Sequence, residues 1–77
     1  MAIHYFHCTN GVDMVIDRTG QETSTSDQIS SHARAVATAL IRALPGYHEW
    51  WNWSVHVYDA FGAVDIFDFP VDRRRAA

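Results

Sequence analysis

Trp53-Ser54-Val55-His56-Val57-Tyr58-Asp59-Ala60-Phe61-Gly62-Ala63-Val64-Asp65-Ile66-Phe67 is the stretch that decides the fold. Trp53, Val55 and Val57 alternate with Ser54, His56 and Tyr58. That period of two belongs to a strand with one buried face. Asp59 to Gly62 reads as a turn, with Asp at its start and Gly at its end. Ala63 to Phe69 then returns as an antiparallel strand, and Pro70 ends the pairing. If the turn pairs Tyr58 with Ala63, Val57 faces Val64 and Val55 faces Ile66, which gives a consistent inner face. The same register sets His56 opposite Asp65 on the outer face. It also sends Phe67 and Phe69 there.

Upstream lies a helix from about Ser26 to Leu44. Ile29, Ala33, Val36, Ala37, Leu40, Ile41 and Leu44 recur in steps of three and four, one continuous apolar stripe. Thr25 with Gln28, or Ser24 with Asp27, fits a capping box, and Pro45-Gly46 stops the helix. Ala33 and Ala37 are small enough for close approach to a sheet. Residues 21–26 are polar and read as a loop.

The first strand is Ile3 to Thr9. Asn10-Gly11 marks a hairpin, the second strand runs from about Val12 to Asp17, and Asp17-Arg18-Thr19-Gly20 turns out of it. Phe6 and Cys8 form the inner pair of the first strand, with Tyr5, His7 and Thr9 outside. The second strand is ambiguous. Asp13 and Asp17 favour water, which turns Val12, Met14 and Ile16 inward; a loop longer than two residues reconciles the two strands.

The expected fold is α+β: a two-layer ββαββ arrangement, one helix on one face of a four-stranded antiparallel sheet. A right-handed crossover favours the order 2-1-3-4. Residues 1–70 are read as a single domain and 71–77 as a flexible basic tail.

The chain has 77 residues, room for one core. Six Arg and no Lys against nine acidic residues give a net charge of −3. Three of the arginines, Arg73, Arg74 and Arg75, sit in the tail, so the basic face of a nucleic-acid binder is missing. Cys8 is the only cysteine, which excludes an internal disulfide. Met1-Ala2-Ile3-His4 lacks the charged and apolar regions of a signal peptide, and no apolar run is long enough to span a bilayer. A cytoplasmic protein is expected, without membrane association.

The outer face collects Tyr5, His7, His56, Tyr58, Phe67 and Phe69, and no second helix exists to cover it. Trp50, Trp51 and Trp53 crowd one window. Alternation sends Trp51 and Trp53 to one face, leaving Trp50 as the better contact residue. His7, His56 and Asp65 are ligand types suited to a transition metal, but no H-x-x-x-H or C-x-x-C spacing supports a site, and no cofactor is expected. Ser30, Ser31 and His32 point apart around the helix and form no triad. No phosphate-binding glycine loop occurs. An enzyme is therefore disfavoured, and no small-molecule ligand is identifiable.

Tyr5-Phe6-His7, Asn10-Gly11, Asp17-x-x-Gly20, the Ala33 to Ala43 helix, Trp53 to Asp59, Gly62 and Phe69 together resemble a family of small bacterial proteins. These are about eighty residues long and are classed as a domain of unknown function. The resemblance covers nearly the whole chain and implies a fold but no activity. It departs in the loop before the helix, where the family often has a Leu-Pro-Asp entry and this chain has the Ser/Thr run 23–26. The Trp50-Trp51 pair is also peculiar to this chain. His7 occupies the family's histidine position, which implies a role for it, structural or functional.

The expected function is a non-enzymatic association or regulatory module. Its partner is itself or another protein, reached through Tyr5, His7, Trp50, His56, Tyr58, Phe67 and Phe69 or through an edge strand. The alternatives are nucleic-acid binding by aromatic stacking on the open sheet and a metal-responsive protein built on its histidines.

Overall fold

The computed structural model describes residues 2–71. In chain order it contains β1 (Ala2–Thr9), β2 (Met14–Val15), β3 (Gln21–Thr23), α1 (Ser26–Ala43), a 3₁₀ turn (Trp50–Asn52), β4 (Ser54–Asp59) and β5 (Gly62–Asp68). The fold is α+β, with one helix against an open antiparallel sheet of order β2-β1-β4-β5. The expected spatial order therefore holds, with β4 and β5 as its third and fourth strands. The sheet nevertheless has five strands, because β3 also pairs with β1.

That extra strand corrects the reading of residues 21–26 as loop. Gln21, Glu22 and Thr23 pair with His4, Ile3 and Ala2. They are polar because they form an edge, where one side of the strand meets water. Thr23 is the exception: it is buried, and its hydroxyl lies 2.6 Å from His4 Nδ1. The second strand is shorter than expected. Only Met14 and Val15 pair, with Thr9 and Cys8. The connection spans Asn10 to Asp13, held by Asn10 Oδ1, which accepts from the amides of Val12 and Asp13 at 2.9 and 2.7 Å. This longer loop lets Phe6 and Cys8 stay inside. It does not turn Val12, Met14 and Ile16 inward: all three are exposed.

Helix α1 is capped by Thr25, which closes a reciprocal capping box with Gln28. Ala33 and Ala37 are buried against the sheet, and Ile29, Val36, Leu40 and Ile41 flank them. The core beneath is Phe6 and Cys8 from β1, Val55 and Val57 from β4, and Trp50, Trp53 and Phe69 beyond the strand ends.

The β4–β5 hairpin turns where expected, pairing Tyr58 with Ala63 and Asp59 with Gly62. A bulge then shifts the register between Val57 and Tyr58, so Val57 faces Asp65, His56 faces Ile66 and Val55 faces Phe67. One extra residue in β5 exchanges its two faces. Phe67 and Phe69 consequently lie inside, not on the outer face; Phe69 is buried and Phe67 packs against the core.

Val71, assigned by sequence to the tail, is half-buried against the core, and its amide donates to the Phe69 carbonyl at 2.8 Å. The rest of that expected tail, residues 72–77, lies outside the described residues.

Candidate functional site

Alternation along three strands builds the outer face. β1 presents Ile3, Tyr5 and His7, β4 presents His56 and Tyr58, and β5 presents Ile66. Tyr5 pairs with Tyr58 and His7 with His56 across the β1–β4 ladder. The Tyr5 and His7 rings are parallel within 14° at 6.5 Å, and His7 and Tyr58 are 5.5 Å apart. Four of the expected contact residues, Tyr5, His7, His56 and Tyr58, thus come together. Ile66, 58% exposed, joins them. The sequence reading missed Ile66 because the unbulged register placed it inside.

Trp50 does not join them. It is buried, and the exposed member of the trio is Trp51. The reason is the 3₁₀ turn, which repeats every three residues instead of two and brings Trp50 and Trp53 to the same side. Their rings are 5.2 Å apart, and Trp50 stacks on Phe69 at 5.5 Å. The Trp53 indole donates to the Tyr47 hydroxyl at 3.1 Å. These rings cap one end of the core.

His7 is held from behind. The Asp17 amide donates to His7 Nδ1 at 3.0 Å. An amide can only donate, so Nδ1 carries the lone pair and the proton of neutral His7 sits on Nε2. This gives His7 a structural role, and it presents a hydrogen-bond donor where a metal ligand would need a lone pair. The bulge also separates the expected metal set: Asp65 shares the helix-side face with Val57, while His7 and His56 lie on the other. Among the described residues no three His, Cys, Asp or Glu side chains form a metal-holding group.

Asp17 completes the arrangement. Its Oδ2 accepts from the Phe6 amide at 3.1 Å. Its Oδ1 accepts from the amides of Thr19 and Gly20 at 3.1 and 3.0 Å, and from the Thr19 hydroxyl. Partial burial works against the charge, but the bonds from Gly20, Phe6 and Thr19 outweigh it and hold the carboxyl below its ordinary pKa. Gly20 has φ +77°, and a Cβ there would meet Ile3 Cγ2 at 2.6 Å and Tyr5 Cε1 at 2.9 Å. The Asp17-x-x-Gly20 turn is therefore the socket in which Ile3, Tyr5 and His7 are seated. A match to the family model of a domain of unknown function, DUF6894, runs over residues 3–68, from β1 through β5. The chain belongs to this family. No curated protein and no solved structure matches it.

On the other side of the DUF6894 sheet, a groove of about 470 Å³ opens between the β2–β3 edge and the helix, lined by Phe6, Cys8, Ile16, Val36 and Leu40 among others. Burial pushes the Cys8 thiol up to about 11, and the Asp17 charge adds to the shift. A thiol so placed stays protonated at neutral pH and is a poor nucleophile. No helix among the described residues is long and apolar enough to cross a membrane.

Proposed function

We propose that this protein is a small non-enzymatic association module that binds itself or another protein through its outer sheet face and the adjoining edge. The observation that carries the reading is the contiguous set Tyr5, His7, His56, Tyr58 and Ile66 on a sheet that, among the described residues, has a helix on its other face only. Aromatic rings with polar tips supply apolar contact area and retain directional hydrogen bonds, the composition found at interface centres. The His7 Nε2–H adds a fixed donor to the set. Nucleic-acid stacking uses similar rings but needs surrounding cations, and the only arginines among the described residues are Arg18, Arg34 and Arg42.

Light scattering across a concentration series tests the proposal. A mass that rises with concentration, and a lower mass for Tyr58→Ser at unchanged thermal stability, supports it. A strict monomer at high micromolar concentration, unaffected by Tyr58→Ser, removes the self-association form.

A further inference from the structure

The outer edge of β5 has the geometry of a self-complementary contact. Phe69 N–H donates inward to the Trp53 carbonyl at 3.2 Å. Strand alternation then turns the backbone groups of Ile66 away from β4, toward the open edge. Among the described residues the Ile66 amide is met there only by the side chain of its neighbour, Asp65 Oδ1, at 2.8 Å. Asp65 itself lies on the helix side of the sheet, opposite buried Val57, yet it is exposed. Two residues along the same face, Phe67 lines a small cleft of about 90 Å³ with Arg34 of α1 and with Asp68, the last residue of β5. Among the described residues neither Arg34 nor Asp65 has an ion-pair partner.

We infer that a second copy of this chain docks along β5, antiparallel, about a two-fold axis at Ile66, with Arg34 of each copy meeting Asp65 of the other. The inference rests on the association reading above and names its partner and register. Antiparallel pairing about Ile66 sets Ile66 against its own copy and Asp65 against the partner's Phe67. That places each Asp65 at the cleft where Arg34 lies. The Ile66 amide passes from Asp65 to the partner's Ile66 carbonyl, and the released carboxylate faces the guanidinium. An axis at Asp65 is also allowed by the backbone, but it sets two carboxylates face to face, which is unfavourable. The chosen axis joins both sheets into one and brings the two outer faces edge to edge.

The test is sedimentation equilibrium of the full chain and of Arg34→Asp, Asp65→Arg, the double swap and Ile66→Lys, with circular dichroism as the folding control. The expected result is a dimer in which each charge reversal weakens association by about tenfold or more and the double swap restores it. Ile66→Lys abolishes the dimer and leaves a folded monomer. A dimer indifferent to these changes but lost in Tyr58→Ser overturns the register and leaves the association reading standing. A wild-type monomer at all concentrations overturns both this inference and self-association.

Discussion

Along the β2–β3 edge, the donor that no strand reaches, Phe6 N–H, is taken by the Asp17 carboxylate, and the Asp17 amide is in turn taken by His7. Along the β5 edge, the Ile66 amide meets, among the described residues, only the carboxylate of its chain neighbour. One side chain is eleven residues away from its amide and locked into a turn; the other is adjacent and on an exposed strand. Both satisfy a backbone group, but only the first is tied to a folded turn. The difference teaches that a short irregular segment can close an edge without a strand, while a regular strand leaves its own outer side available.

Five substitutions probe that contrast, in falling order of effect. Phe69→Ala should cost about 3–5 kcal/mol, because β5 is anchored by this buried ring at its end and not by its exposed middle. A chemical-denaturation loss near 1 kcal/mol would instead mean that the ladder alone holds β5. Asp17→Ala should cost about 2–3 kcal/mol, since it strands the Phe6 amide and three donors of the turn. The same carboxylate predicts an acid response. Its folded pKa lies below the unfolded value of about 3.9, so its contribution is present above that pH and is lost as pH falls through the folded value. Wild type should lose stability in that range, and Asp17→Ala should be flatter there.

Gly20→Ala comes next, at about 1–3 kcal/mol, because φ is +77° and the new methyl meets Ile3 and Tyr5. Gly11→Ala is its internal comparison: φ is +94° with open space around it, so only the backbone term of about 1 kcal/mol applies. Equal losses at the two glycines would show that Ile3 and Tyr5 are not seated on the turn. His7→Phe should cost as little as Gly11→Ala, about 1 kcal/mol, by removing the acceptor for the Asp17 amide while keeping a ring. In a heteronuclear spectrum the His7 imidazole should show the Nε2–H tautomer at neutral pH; the opposite tautomer would refute the latch.

The helix, its cap and the alternation of β4 were legible in the residues because each obeys one local rule. Thr25 and Gln28 are a capping box wherever the helix packs, and Val55 and Val57 can only share a face. The failures have three separate local causes. The bulge beside Val57 and Tyr58 leaves no mark in composition, yet it moved Phe67 and Phe69 inside and Ile66 outside. The 3₁₀ turn did the same for Trp50, since three-residue and two-residue periods send it to opposite sides. β3 was hidden because an edge strand of Gln21, Glu22 and Thr23 has the polarity of a loop. Asp17 and Gly20 were visible as a turn motif; that the carboxylate also reaches Phe6 depends on a contact no spacing rule encodes.

The bond from Phe6 N–H to Asp17 has a kinetic consequence. An amide in a regular ladder exchanges its hydrogen with solvent only when the strands part, whereas this one is released when a single side chain swings away. Phe6 sits in the middle of β1, flanked by residues paired to β4, so its exchange rate reports the opening of the Asp17–Gly20 turn alone. Exchange at Phe6 that outpaces exchange at Val57, its partner on β4, would make this one amide a built-in clock for how often His7 and Tyr5 lose their seat.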